Sequence, residues 1–252
     1  MRQKHQKKSS GKFTKNPTNS TAKLWVWGTH AATAALNNPN RKIIEVLITR
    51  NTLAQFDKTA LLEKINPTEP DQITDALPYG AVHQGIALHV SPNPPVALET
   101  ILQNQTGPLL MLDGITDPRN IGAIFRSAAA FGAAGVITQE RHMPTLGGVL
   151  AKAAAGAIER VPHIPVVNLS RTLEKLADAG VHSIGLTGET SLSLSEAKDE
   201  RAVVLVLGAE GKGMRPNVKK HCETLARIPI SSHMESLNVA SAASVALYEL
   251  SR

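Results

Sequence analysis

Residues 203–215 read VVLVLGAEGKGMR. An unbroken Val/Leu run, the pattern of a strand buried on both faces, passes without a polar break into Gly208, Glu210, Gly211 and Gly213. Glycine lets the backbone turn at once and leaves its amides bare for a ligand. The turn is not a phosphate-binding P-loop, because GxxxxGK[ST] is missing, and it does not fit the dinucleotide pattern GxGxxG followed by a helix and a distant acid. A strand feeding a glycine turn fits an α/β protein with a parallel sheet, although such a turn alone is more often structural than functional.

The flanking sequence repeats that grammar. Short buried strands are expected over 109–115, 135–138, 164–167 and 182–187 before this stretch and over 226–230 after it. Helical patterns fall over 120–131, 147–157, 171–179 and 236–251, so the sheet is mostly parallel and covered on both faces. Ligands of such sheets lie beyond the carboxyl ends of strands where strand order reverses. Upstream, an opening segment over 24–30, helices over 31–36 and 53–65, a short piece over 73–76 and strands over 43–48 and 85–90 make a smaller α/β unit. The Pro/Asn/Gln-rich runs SPNPP and QNQTGP separate the two units. The expected organisation is a tail over 1–22, a small unit over 23–91, a linker over 92–107 and a larger unit over 108–252.

With 252 residues, 42% hydrophobic and 19% charged, the chain can bury a substantial core. No apolar run is long enough for a bilayer span and the first twenty residues have no apolar stretch for a signal peptide, so neither a membrane span nor secretion is expected. One cysteine, Cys222, makes neither an internal disulfide nor a metal pair, which points to a reducing cytosol. Nine of the 27 basic residues fall in the first 42 positions, and no Asp or Glu precedes Glu45. The remainder is net negative by 3, so the overall +6 belongs to the beginning of the chain. A Lys/Ser/Thr/Asn-rich tail cannot fold alone and reads as a mobile arm for a polyanion, nucleic acid being the commonest. A solubilising tail and a transit peptide are the other readings, the latter weakened by a single Arg in the tail.

Two further stretches carry polar groups in unusual settings. In LDGITDPRNIGAIFRSAAAFG, residues 112–132, Pro118 disfavours helix at Asp117 and Asn120 is a fair cap, so the helix should begin near Ile121 and hold Arg126 on a turn built otherwise of Ala, Ile and Phe. Such an Arg either faces solvent or lines a cleft as a fixed cation for phosphate or carboxylate. In RIPISSHMESLNV, residues 227–239, Ser236 or Asn238 caps the last helix or points its hydroxyl or amide into a cleft. The nine histidines form no HExxH, no GxSxG elbow occurs, and 3% aromatic content leaves little for stacking platforms, so neither metal nor covalent catalysis is expected.

Taken in order, N-x5-R-[ST]-A-x2-FG over 120–132, LGAEGKGM over 207–214 and IPI...SLNV over 228–239 resemble the three signature motifs of the SpoU class of RNA ribose 2′-O-methyltransferases. KAAAGAIERVP over 152–162 is similar to a further segment of that family. WGTHA over 27–31 and YGAVHQGIALHV over 79–90 resemble the substrate-binding domain of its bacterial 23S rRNA guanosine branch, related to the ribosomal L30e proteins. The resemblance implies an α/β fold closed by a trefoil knot, with S-adenosylmethionine held by backbone around Thr187, Gly208, Ile228, Ile230 and Leu237. It implies that Arg126 activates the ribose hydroxyl, either as a base after losing its own proton or by clamping a phosphate and stabilising the alkoxide. Asn120 and Asn238 would orient Arg126 and the ribose, Ser236 would line the methionine end, and Glu210 would pair with Arg126 or with an Arg of another subunit. A cytoplasmic homodimer acting on 23S rRNA or a ribosomal precursor is expected. The same chemistry on tRNA or at an antibiotic-resistance rRNA site, and a non-catalytic RNA-binding or ribosome-assembly protein, are the alternatives. The polar loop SSHME over 231–235 departs from the family's pattern.

Overall fold

A computed structural model describes residues 23–56 and 65–252. The basic stretch 1–22 and most of the helix expected over 53–65 lie outside the described residues. The smaller unit comprises β1 (Trp25–Trp27), α1 (Thr29–Asn37), β2 (Ile43–Ile48), α2 (Arg50–Leu53), α3 (Pro70–Ala76) and β3 (Ile86–Val90). Its central strand, β3, pairs antiparallel with both others. Trp25, Trp27 and Ala87 pack with Ile73 and Leu77 on one face, while Val26, Ile86 and Leu88 enter the main core on the other.

The stretch read as a linker carries a short helix, α4 (Leu98–Leu102). Then follow β4 (Leu109–Asp113), α5 (Pro118–Ala130), β5 (Gly135–Gln139), α6 (Gly148–Ala154), β6 (His163–Val166), α7 (Leu169–Asp178), β7 (His182–Leu186), α8 (Leu194–Ala197), β8 (Val203–Gly208), α9 (Pro216–His221), β9 (Thr224–Ala226) and α10 (Val239–Leu250). Six parallel strands lie in the order β6-β5-β4-β8-β7-β9. Leu110, Leu112, Val136, Leu205 and Leu207 join the cluster with α5, α6 and α10, while Leu109, Met111, Ile137, Val204 and Val206 join α7 and α9. Alternate residues thus serve opposite faces of one sheet, which is why these strands read as continuous apolar runs. Among the described residues no helix is long and apolar enough to cross a membrane.

Two departures from the expected boundaries bear on the site. Helix α5 starts at Pro118, not near Ile121, because Asp117 is the extended cap residue and its carboxylate accepts the Arg119 amide at 2.8 Å. Asn120 is therefore inside the helix and its amide is free for a distant partner. The last strand ends at Ala226, so Ile228 and Ile230 follow it as irregular chain.

The two units share a core and a buried ion pair. The start of α6 lies so close to β1 that a Cβ on Gly147 would meet Leu24 Cδ1 at 2.2 Å. Arg41, counted by sequence with the basic beginning of the chain, is fully buried against Glu159, its Nε 3.1 Å from both carboxylate oxygens. Asn38 and Asn93 donate to the same carboxylate at 2.9 and 3.1 Å, and Arg41 Nη1 donates to Ser91 O at 2.7 Å. Removing one member of such a pair strands a charge in a low dielectric. Arg41→Ala is expected to cost about 3–5 kcal/mol in urea unfolding.

His163, on β6 beside Phe125, has its Nε2 2.8 Å from Thr138 Oγ1, and burial pushes its pKa down from 6.5 to about 4. The folded chain resists a proton that the unfolded chain accepts. His163 therefore adds an acid-sensitive increment: stability is unaffected by it above pH 6.5 and falls progressively as pH drops toward 4. Melting midpoints recorded across that range should fall less steeply in His163→Gln than in the parent.

Candidate active site

The strand order reverses between β4 and β8. From β4 the chain steps outward to β5 and β6, crosses to β7, returns to β8 and leaves to β9 on the far edge. The loops after β4 and β8 thus depart in opposite directions from strands paired to their last residues, Asp113 against Gly208. A crevice forms at such a point.

Gly208 opens the turn quoted above. A Cβ there would lie 2.2 Å from both Gly213 C and Met214 N, so only glycine fits. Ala209 and Gly213 exchange both backbone hydrogen bonds, at 3.1 and 2.8 Å, and Gly211 and Gly213 take positive φ of 75° and 66°. Asp113, fully buried, anchors the turn from below: its two oxygens accept the Arg215 amide at 2.7 Å and Arg215 Nε at 2.6 Å. Sequence reading missed this tie, since nothing local marks two residues 102 positions apart as partners.

The closed turn presents Glu210 to two other elements. Its Oε1 accepts Asn120 Nδ2 at 3.1 Å, Asn238 Nδ2 at 2.5 Å and the Val239 amide at 3.3 Å. Asn238 Nδ2 also donates to Asn120 Oδ1 at 3.0 Å. Meanwhile Asn238 Oδ1 caps α10 by accepting from Ala240 and Ser241. One residue of each of the three motifs thus meets at the mouth of the crevice. Of the residues singled out by sequence, Asn120, Glu210 and Asn238 come together. Ser236 is exposed, and Asn238 rather than Ser236 is the cap.

Arg126 stands apart. It is exposed, and among the described residues its guanidinium has no hydrogen-bond or ion-pair partner, so Glu210 is engaged by the two asparagines and not by Arg126. Six helical positions place it about 9 Å along α5 from Asn120 and about 120° around it. The neighbouring Ser127 bonds Ser244 of α10 at 2.6 Å, and Gly122, one turn earlier, lies against α6, where a Cβ would meet Leu150 O at 2.5 Å.

The remaining residues singled out line the same end of the sheet. The Thr187 amide donates to Ala226 O at 2.9 Å, and Arg227 and Leu192 are joined by backbone, so the loop after β7 clasps the chain leaving β9. Backbone amides of Ile228, Ile230 and Leu237 have no hydrogen-bond partner among the described residues. Ile230 and Leu237 expose 40% and 37% of their surface. Unpaired backbone groups beside apolar side chains and a side-chain-free Gly208 offer a ligand donors and acceptors more than charge. Burial, with the Asp113 charge, pushes the Cys222 thiol up to about 12, which disfavours the nucleophilic thiolate.

Residues 107–248 match the SpoU rRNA Methylase family, and residues 25–96 match the RNA 2′-O ribose methyltransferase substrate-binding family. The 23S rRNA (guanosine-2′-O-)-methyltransferase RlmB of Pasteurella multocida is 38% identical over 241 residues, covering 90% of this chain and 97% of that protein. Its counterpart in Pseudomonas aeruginosa is 44% identical over 176 residues, 68% of this chain and 71% of that protein. The fold is similar to that of an AdoMet-bound rRNA methyltransferase from Sinorhizobium meliloti, with TM-score 0.76, 22% identity and coverage of 92% and 88% of the two chains. It is also similar to the SpoU methyltransferase AviRb from Streptomyces viridochromogenes in complex with AdoMet, with TM-score 0.73, 21% identity and coverage of 91% and 89%.

The turn's packing gives a direct test. Gly208→Ala should displace 209–213, cost about 1–3 kcal/mol by urea unfolding and loosen Glu210 from Asn120 and Asn238. An unchanged unfolding midpoint would mean the turn tolerates the methyl group.

Proposed function

The chain belongs to the SpoU rRNA methylase family, and we propose that it transfers the methyl group of S-adenosylmethionine to the ribose 2′-hydroxyl of a guanosine in 23S rRNA. The observation that carries this reading is the meeting of Asn120, Glu210 and Asn238 at the strand reversal, beside unpaired backbone groups that fit the cofactor. When bound, the cofactor supplies an electrophilic sulfonium methyl group. The protein must align the hydroxyl oxygen with that methyl, keep both in place and let the proton go.

Thr187, Gly208, Ile228, Ile230 and Leu237 would hold the cofactor through backbone groups, with Ser236 at its methionine end. The clasp between 187–194 and 226–227 is consistent with the chain crossing of a trefoil knot. Glu210 fixes both asparagine amides; Asn238 is fully engaged, while Asn120 keeps one Nδ2 hydrogen uncommitted that would be offered to the ribose. A guanidinium is intrinsically a poor base. The unpaired guanidinium of Arg126 suits a clamp on the RNA phosphate that stabilises the developing alkoxide, lowering the hydroxyl's proton affinity so that solvent removes the proton.

The active form is a homodimer in this reading. Val245 and Tyr248 expose 45% and 53% of their surface on α10, and Met234 and Leu237, in the chain leading into it, expose 63% and 37%. Ser127–Ser244 and Phe131–Tyr248 hold α10 against α5, so this apolar surface adjoins the helix that bears Arg126. The small unit, matched to a substrate-binding family, would grip the RNA.

Labelled S-adenosylmethionine with 23S rRNA from cells lacking the enzyme should yield one ribose-methylated guanosine. Arg126→Ala should lower the rate about 10²–10³-fold with cofactor affinity unchanged. Arg126→Lys should keep partial activity with no new pH optimum. Label on tRNA, or none on any RNA, would refute the substrate assignment, and a large upward shift of the lysine variant's pH–rate profile would refute the clamp.

A further inference from the structure

A cavity of about 340 Å³ lies at the joint between the two units, walled by His30, Thr33 and Asn37 of α1 and by Ala155, Glu159 and Arg160 after α6. Its charges are unequal in availability. The Glu159 carboxylate is buried and saturated by Arg41, Asn38 and Asn93. Thr33 donates to Thr29 O at 2.8 Å. The exposed side chains of Arg160, His30 and Asn37 have no hydrogen-bond or ion-pair partner among the described residues. What remains open toward solvent is one fixed cation, one imidazole and one amide, a donor set for an oxyanion.

The backbone holds this wall in an unfavourable conformation. Ala155, a non-glycine residue, sits in the left-handed region at φ 49°, and Gly156 follows at φ 91° with α1 so near that a Cβ would meet Ala34 Cβ at 2.5 Å. The wall also adjoins the catalytic helix. Gly122 of α5 lies against Leu150, Ala153 and Ala154, the residues just before Ala155, and α5 packs on the turn Ala157–Glu159. Arg126 is one helical turn beyond Gly122 on that side of α5. An RNA strand leaving Arg126 would reach the joint over this surface.

We propose that the joint cavity seats a backbone phosphate of the RNA, held by Arg160 with His30 and Asn37, so that the substrate bridges both units. The inference rests on the reading that the chain acts on RNA. Both units contribute donors, which makes the site dependent on their docked arrangement. Arg41 then has two roles: it joins the two units through Glu159, and by neutralising that carboxylate it keeps the cavity floor free of net negative charge.

The full chain should be titrated with a 23S rRNA transcript over a range of salt concentrations, alongside cofactor binding and thermal melting. Arg160→Ala is expected to weaken RNA binding several-fold and to reduce the log–log salt slope by about 0.7–0.9, the signature of one lost phosphate contact. Arg160→Lys should restore the slope, and Asn37→Asp should weaken RNA binding again by placing a carboxylate opposite the phosphate. Cofactor affinity and melting midpoint should match the parent in all three. A free nucleotide or inorganic phosphate as the true occupant would protect the cavity without altering the RNA salt slope, and that result overturns the proposal. So does an Arg160→Ala protein that binds the transcript with parental affinity and slope while the parent methylates it. If the parent neither binds nor methylates the transcript, the RNA reading itself fails and the cavity assignment with it.

Discussion

The pairing of β4 with β8 governs the rest of the molecule. Two parallel strands, matched from Leu109 with Val204 to Asp113 with Gly208, end side by side while their chains depart in opposite directions. At that point the backbone must turn within a residue of the strand's end, and Gly208 permits it by having no side chain where Gly213 and Met214 pass. Asp113 then spends its buried charge on Arg215 and sets the far end of the turn. Glu210 is exposed in sequence terms and unremarkable by composition, but between these two anchors it has one place to go. The three-motif meeting point is therefore a by-product of strand order, tightened by one glycine and one buried carboxylate.

The sheet was legible because its strands are buried on both faces and so read as uninterrupted apolar runs, with 203–208 matching the expected run to the residue. The ends were harder. Pro118 correctly signalled extended chain at Asp117, yet Asn120 looked as good a cap as Asp117, and only the observed bond from Asp117 to the Arg119 amide decides between them. Likewise IPI over 228–230 has strand composition but follows Arg227, whose backbone is already committed to Leu192 and Leu194. Composition sets a preference, and long-range backbone pairing overrides it. The Asn120–Glu210–Asn238 contact was reachable through motif resemblance and not through spacing, because its members are 90 and 28 positions apart.

Charge was the most deceptive signal. Counting basic residues groups Arg41 with the lysines at the chain's beginning, whereas the fold buries it and uses it to join two units. Lys23, too, pairs with Glu45 at 2.9 Å and lies 5.6 Å from the Trp25 ring centre. A sequence count weighs every charge equally, while the folded molecule separates charges that build the scaffold from those left for a ligand. Arg126 and Arg160, exposed and without a partner among the described residues, are the candidates for the second kind.

Arg126 poses the remaining geometric problem. A helix displays residues six apart in directions about 120° different, so one copy of α5 cannot aim both Asn120 and Arg126 into the same crevice with equal ease. Asn120 is already tied to Glu210 and Asn238, which leaves Arg126 as the group that must find its site elsewhere. Its own surroundings supply a direction: α10, joined to α5 through Ser127 and Ser244, carries the exposed Val245 and Tyr248 on the adjoining side. Covering those apolar positions with a second copy, as proposed, would remove them from water against the helix that carries Arg126. On the proposed homodimer, the contact that stabilises the pair would lie against α5, so that assembly and the placing of Arg126 are linked through one helix, while Asn120, Glu210 and Asn238 are already assembled within a single chain.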